Sequence, residues 1–487
     1  HLLFRNYTGR YQLGQLLSFL SCTAANRRPN DFDFCLLKQT MISDDKVDPT
    51  DEIDDPGAVF NFPFTTDSES VQFLNTHRRI FFIVRGLPGS KKKVLGDFLK
   101  ELYNGSKMFW ADKLFLGPVA EPRSKKALGE SHKTCYAKIE KFMQDNVPVI
   151  INRNSNVAAT EVTRYIRLAL QYGYTIILAE TNSKVSSNPE LLRLSNTKRL
   201  EKAYLKNREK QWEEIYPLYT GWFLRPSDGF HLQKRYAEIS SVAAKEGWNI
   251  PKILQPEALI FCLGRLCSFG KAPEDQLYCD SDKVKDGYGS KHTLTVFGYA
   301  VVDNIAFAAV NLNEDQQSMI DNPDDKNKCS VKTAPGIKVD DWEPTSCSVN
   351  LQDIVSATTE QEEPIRLEKL EQVPSADRVS FIALGRTEQH EGSDFIYDEE
   401  LRNSLKRFSR ERMNEGVPSG EHLPVDQIDV YRVENEFLIV DSRTVQLDSV
   451  FTGFYQSYNV SVPLCKYFNT PRGCLNGPVC KFRHKTH

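Results

Sequence analysis

Nothing in this 487-residue chain stays apolar for the ~18 to 20 residues that a membrane-crossing helix needs. The nearest approach, Leu13 to Leu20, is broken by Gly14 and Gln15, and it reads as an extension rather than a secretory signal. An excess of either charge is also lacking. The 62 Lys and Arg stand against 65 Asp and Glu, a formal −3, so any surface for a polyanion must be local. Nor is there a cysteine framework. The 11 cysteines are odd in number and irregularly spaced, and three crowd into Cys465 to Cys480. That pattern suits a reducing compartment with one metal site, so a cytoplasmic protein is expected, the nucleus not being separated from it. No internal repeat is evident.

What is present divides into four parts. Residues 1–57 form an acidic leader, expected to be disordered, in which Met41 (a candidate start) precedes Asp44, Asp45, Asp48, Asp51, Glu52, Asp54 and Asp55. A first domain is expected over 58–245. Arg79 to Val84 reads as a buried strand, Gly86-Leu87-Pro88-Gly89 as a turn, and Val94, Leu95, Phe98, Leu99 and Leu102 recur at helical spacing. Val149 to Ile151, a helix over 159–172 closed by Gly173, and Thr175 to Ala179 repeat the order strand, helix, strand, which argues a parallel α/β sheet. The charged stretch Leu200 to Tyr216 reads as a solvated helix. From 246 to 460 the texture changes to short strands, such as 259–262, 293–301 and 379–384, as in a more antiparallel α+β domain. A polar, acidic segment of about 313–372, with Pro323, Pro335 and Pro344, interrupts it as a partly disordered insertion able to contact protein partners.

The fourth part, 461–487, carries the most specific motif. Cys465, Cys474, Cys480 and His484 stand at C-x8-C-x5-C-x3-H, the tetrahedral donor set of a structural Zn²⁺ site. So short a module cannot fold on apolar burial alone, so the metal would supply most of its stability. Tyr467, Phe468 and Phe482 interleave with Lys466, Arg472, Lys481 and Arg483, and no acid falls between Lys466 and Lys485. Flat rings beside phosphate-pairing cations are what single-stranded RNA requires. The spacing resembles the CCCH zinc-finger family, whose fingers usually read such RNA.

Gly86-Leu87-Pro88-Gly89-Ser90-Lys91-Lys92-Lys93 lies where a phosphate-binding loop G-x-x-x-x-G-K-[ST] would lie. Gly86 and Lys92 are in register, with Gly89 and Ser90 between them. Lys91 replaces the second glycine and Lys93 the metal-holding hydroxyl, which argues against a Mg·ATP site.

At this point a family resemblance emerges. Phe62-Pro63-Phe64, Val84 to Ser90, Ala169 to Tyr174, Pro217-Leu218-Tyr219-Thr220-Gly221-Trp222-Phe223-Leu224, Phe269-Gly270-Lys271-Ala272-Pro273 and Phe451 to Tyr455 resemble the 2′,3′-cyclic-nucleotide 3′-phosphodiesterase family. The likeness covers about residues 60–457 and leaves out the finger. It implies a P-loop polynucleotide-kinase-like parallel-sheet domain followed by a 2H phosphoesterase domain. The family's prenylation box is missing at Lys485-Thr486-His487, so no membrane anchor is expected.

The resemblance also implies that both active sites are degenerate. After the strand at 149–151 the family places acidic residues that help hold the metal; here stand Asn152-Arg153-Asn154-Ser155, although Asp112 matches a retained acid. The two H-x-[ST] motifs, in which one histidine acts as base and the other as acid, fall on Phe261-Cys262-Leu263 and Phe381-Ile382-Ala383. Phenylalanine carries no proton, and neither Leu263 nor Ala383 offers a hydroxyl. His132-Lys133-Thr134 fits H-x-T but falls in the first domain, His292-Thr293-Leu294 has its hydroxyl one place early, His231, His390 and His422 show no motif, and Cys262, Cys267 and Cys279 read as core thiols. The expectation is therefore no catalysis: an RNA-binding pseudoenzyme adaptor. The alternative is altered phosphodiesterase activity on 2′,3′-cyclic RNA ends.

Overall fold

Ile80–Arg85 (β1) is buried along its whole length, as a run rich in aromatic and β-branched residues requires at the centre of a parallel sheet. In the computed structural model it pairs in parallel with Val149–Asn152 (β3) on one side and Thr175–Glu180 (β4) on the other, and Lys107–Phe109 (β2) adds beyond β3. The strand order is β2-β3-β1-β4. The structure describes residues 61–115, 124–181, 189–195, 200–320, 365–366, 379–388, 421–425, 427–433 and 435–456. The acidic leader, most of the polar segment at 313–372, His390 and the finger at 461–487 lie outside them. All described residues fall in one compact unit, Pro49–His487.

Helices Lys92–Leu102 (α2), Lys125–Gln144 (α3) and Ala159–Gln171 (α4) accompany this sheet, while Ser68–His77 (α1) lies beside Lys291, whose N–H donates to Ser70 Oγ at 2.8 Å. α4 buries Val162, Tyr165, Ile166 and Ala169, the i, i+3, i+4, i+7 stripe of a helix lying on a core. It ends as the sequence suggests. Gly173 turns left-handed at φ +64, its N–H bonds to Leu170 O at 3.3 Å, and Tyr174 N–H bonds to Ala169 O at 2.8 Å.

The second sheet comprises Tyr219–Leu224 (β5), Gln255–Pro256 (β6), Phe261–Leu266 (β7), Lys291–Val302 (β8), Ile305–Asn311 (β9), Ile365–Arg366 (β10), Val379–Arg386 (β11), Glu421–Val425 (β12), Ile428–Val433 (β13) and Glu436–Phe454 (β14). Its pairings are antiparallel, and the path β14-β5-β7-β11-β9-β8 closes because β8 pairs with β14 again. One face packs Trp222, Cys262, Ile382, Ala308 and Phe451 against Leu232, Tyr236 and Ile239 of helix Pro226–Lys245 (α5). The domain boundary expected at 245/246 does not coincide with the sheet boundary. Among the described residues β5 pairs with β14 and β7 of the second sheet, and α5 covers that sheet. The polar segment opens on an ordered helix, Glu314–Ile320, that buries Gln316 and Met319.

The two sheets are joined tightly. Thr452 of β14 donates to Ile176 O of β4 at 2.8 Å, and Tyr455 is buried in the core of the first sheet. Arg85, fully buried at the end of β1, pairs with Glu180 and donates to Asn156 O at 2.9 Å and Glu213 O at 2.6 Å. Its guanidinium lies 4.4 Å from the Trp212 ring. The stretch read as a solvated helix is thus helical only over Lys202–Lys210, and its continuation seats Arg85. Among the described residues, Cys135, Cys262, Cys267 and Cys279 are free and buried, and no helix is long and apolar enough to cross a membrane.

Candidate functional site

Two places repay a close look. The first is the sheet face that the H-x-[ST] comparison singles out. β7 and β11 are antiparallel neighbours with Ile382 opposite Cys262. Side chains alternate along a strand, so Phe261, Leu263, Phe381 and Ala383 share the face opposite the α5 core. The fold therefore brings the four positions together, as two facing motifs would need. What they form is dry. Phe261 is fully buried, Ala383 too, and Leu263 and Phe381 are each 4% exposed. Phe261 is stacked between Phe223 (centroids 4.6 Å, 11° apart) and Phe454 (5.1 Å, 20°). Phe381 meets Phe307 edge-on at 6.1 Å. On the other face, burial pushes the Cys262 thiol up to about 12.

No described histidine reaches this face. His292 belongs to β8 on the helix-covered side, edge-on to Trp222 and Phe451, with Nε2 2.9 Å from Ser290 Oγ, and burial pulls its pKa down to about 4. His132 sits on α3 and His231 on α5, and His422 pairs with Asp429 at 3.0 Å on exposed β12. Among the described residues, the two positions hold Phe261 and Phe381, and no histidine lies beside them.

The second place is the crevice at the carboxyl ends of the parallel strands. The crossovers leave β1 toward β2 and β3 toward β4, so the switch point lies between β1 and β3, where open α/β sheets bind ligands. Gly86 opens the loop after β1. A Cβ there would sit 2.1 Å from Thr181 Oγ1 and 2.3 Å from Ser90 Oγ, so only glycine fits beside the buried Ser90–Thr181 hydroxyl pair, 2.6 Å apart. Gly89 turns at φ +94, and Lys91 adopts a left-handed φ of 57°, the conformation for which a phosphate loop uses glycine. Lys92 Nζ donates to Leu87 O at 2.6 Å, folded over the loop.

Sequence reasoning noticed Arg153 only as a missing carboxylate. The structure gives it a position. From the end of β3 its Nη1 donates to Lys93 O and to Asp97 Oδ1, each at 3.2 Å, and its guanidinium stacks 3.9 Å from the Trp110 ring. Lys113 Nζ approaches the same ring at 5.4 Å. Burial lowers the Arg153 pKa, and the Asp97 and Asp112 charges oppose that. A Mg²⁺ ion does not fit here. The hydroxyl position is Lys93, the strand-end carboxylate position is Arg153, and Asp97 already faces the guanidinium. An arginine at the end of a central strand was the one signal available in the sequence. Among the described residues no cluster of His, Cys, Asp and Glu could hold a metal, and the Cys465, Cys474, Cys480, His484 set lies outside them.

Residues 229–340 match the family described as 2′,3′-cyclic nucleotide 3′-phosphodiesterase, a span that includes Phe261 and Leu263 and ends before Phe381. The chain is 27% identical over 297 residues to 2′,3′-cyclic-nucleotide 3′-phosphodiesterase of Rattus norvegicus, covering 56% of this chain and 70% of that one. It is 25% identical over 323 residues to the Mus musculus protein, covering 60% and 76%. It is thus homologous to these phosphodiesterases. Among solved structures, a fungal RNA kinase is 12% identical over 77% of this chain and 99% of that one, with a TM-score of 0.24. The Pnkp1/Rnl/Hen1 RNA repair complex contains a chain 16% identical, covering 27% of this chain and 43% of that one, also at 0.24. Those superpositions carry no argument about this fold.

Proposed function

We infer that this protein binds single-stranded RNA through its finger and uses the two sheets as a non-catalytic scaffold. The observation that carries the reading is Phe261, stacked between two other phenylalanines in a dry sheet face where homologous chemistry would need an acid–base side chain. Phe381, buried on the neighbouring strand, supports it from the second motif. Binding then falls to the segment whose chemistry suits it. Cys465, Cys474, Cys480 and His484 would hold Zn²⁺, while Tyr467, Phe468 and Phe482 stack bases and Lys466, Arg472, Lys481 and Arg483 pair phosphates. The acidic insertion at 313–372 offers a separate surface for protein partners, and the reduced cysteines suit the cytoplasm.

The test has two arms. Crosslinking to RNA in cells is compared for wild type, Cys474→Ser and Tyr467→Ala/Phe482→Ala, and both variants are expected to lose it. Hydrolysis of a 2′,3′-cyclic nucleotide by the purified protein is expected to be nil. Turnover that changes on mutating 261–263 or 381–383 would overturn the scaffold reading in favour of an altered phosphodiesterase.

A further inference from the structure

Two of the buried thiols lie side by side. Cys267 follows β7 and is fixed there, its N–H donating to Leu218 O at 2.7 Å and its thiol to Arg265 O at 3.4 Å. Cys279 lies on the short helix Pro273–Asp280 (α6), whose Gln276 Nε2 donates to Gly270 O at 2.7 Å. Gly270 N–H in turn donates to Cys267 O at 2.7 Å. The helix face that carries Gln276 and, one turn on, Cys279 is thus docked against the segment that Cys267 begins. The Cys279 thiol completes the contact by hydrogen-bonding the Cys267 sulfur. Both belong to the core that α5 covers. A single buried thiol there is a small apolar filler, whereas two in contact can also be joined.

The segment between them is strained and lightly held. Ser268, Phe269 and Gly270 are all left-handed, at φ 45°, 59° and 65°, a conformation that serine and phenylalanine keep only under constraint from the rest of the fold. α6 has no side-chain cap, and of its residues Tyr278 and Cys279 are the buried ones, while Leu277 is exposed. A helix anchored by so few side chains opens locally more readily than the sheet beneath it. While α6 is seated, the bond to Cys267 and then burial raise the Cys279 pKa, so Cys279 is no nucleophile in that state. Opening admits solvent to both sulfurs at once.

We propose that Cys267 and Cys279 are a redox pair, oxidised by hydrogen peroxide to a disulfide that staples α6 to the end of β7. In the open form a thiolate of the pair attacks a peroxide oxygen, the O–O bond breaks, and a sulfenic acid and water result. The second thiol attacks the sulfenic sulfur, forming the S–S bond and releasing a second water. Two thiols thereby lose two electrons and two protons, and the peroxide takes up both. A reducing thiol of the surroundings reverses the step by disulfide exchange. The pair is independent of the finger and of any RNA bound there.

The experiment treats the full chain with hydrogen peroxide, blocks remaining thiols with an alkylating reagent in denaturant, and digests with trypsin for mass spectrometry. Lys271 lies between the two cysteines, so digestion yields Leu266–Lys271 and Ala272–Lys283, each with one cysteine, which stay joined only through a 267–279 disulfide. The joined peptides are expected after peroxide and not after subsequent dithiothreitol. Amides of 273–280 are expected to exchange hydrogen about tenfold or more slowly in the oxidised protein, because closing so short a loop restricts the open form. Cys279→Ala should abolish both the joined peptides and the added protection; should that variant not fold, oxidised and reduced wild type decide. Peptides alkylated singly after peroxide, or Cys267 joined to a different cysteine, overturn the proposal. So do joined peptides without slower exchange in α6.

Discussion

Replacing Phe261 by histidine restores the acid–base residue at the first motif, and the structure says what it costs. The ring is fully buried and stacked on both sides, by Phe223 at 4.6 Å and Phe454 at 5.1 Å. Such pairs are worth about 0.5–1.5 kcal/mol each beyond area burial, and an imidazole without a partner costs about 1–3 kcal/mol. The expected loss is about 2–6 kcal/mol near neutral pH, read as a lowered midpoint of a thermal melt. Acid should make it worse. A buried histidine titrates below its ordinary value, as His292 does here at about 4, so between pH 6.5 and that value the unfolded chain binds a proton that the folded one does not. Stability relative to wild type should therefore fall by up to about 1.4 kcal/mol per pH unit below 6.5. Phe261→Leu provides the control: it loses the stacks, adds no polar group, and should show no extra pH dependence. The assay is paired thermal melts at pH 7.5 and 5. A variant as stable as wild type, or one whose deficit shrinks in acid, would mean that the site is hydrated and the reasoning about a dry face is wrong.

Lys91→Gly removes a side chain held at φ 57°, a conformation that costs a residue other than glycine about 1–2 kcal/mol, against about 0.5–1 kcal/mol of added chain entropy. A gain of up to about 1.5 kcal/mol in denaturant unfolding is expected. Asp228, 7% exposed in the first turn of α5, is pushed by burial up to about 6 despite the opposing Arg225 and His231 charges. Its folded pKa is raised, so the folded chain holds a proton that the unfolded one loses between about pH 4 and 6. Asp228→Asn should accordingly stabilise by about 1–3 kcal/mol at pH 7.5 and by little at pH 4, read from melts at the two values. Zinc chelation should abolish RNA crosslinking while leaving the main unfolding transition in place, as calorimetry would check.

Much of the first sheet was legible because β1 and β4 are uninterrupted apolar runs and because Gly173 marks the end of α4. The i, i+2 spacing of Phe261 with Leu263, and of Phe381 with Ala383, also placed each pair on one face. That the pairs are neighbours depends on β7 and β11 meeting across more than a hundred intervening positions, which no local pattern encodes. That β5 joins the second sheet, although it precedes the boundary expected at 245/246, is not legible locally. Its six residues are buried on both faces, so periodicity says nothing, and its partner Ser449–Phe454 lies about 225 positions away. The contact of Arg153 with Trp110 was not legible for a related reason: each sits on a loop, and their stacking exists only because β2 lies beside β3. The helix Glu314–Ile320 was masked by polarity, since little besides Gln316 and Met319 turns inward.

The last strand, β14, has a consequence for how the chain is made. Ser449–Phe454 completes the pairing of Leu224–Tyr219, and Thr452 and Tyr455 finish the packing around β4. At roughly 5–20 residues per second, a ribosome needs about 10–45 s to pass from β5 to the end of β14. Through that interval YTGWFL is a β-prone apolar segment with an unpaired edge, and the first sheet lacks its final cover. Until β14 is made, that edge is open to pairing with other chains. The finger motif begins at Cys465, shortly after Phe454, so its residues are made only as the strand that closes the scaffold becomes available.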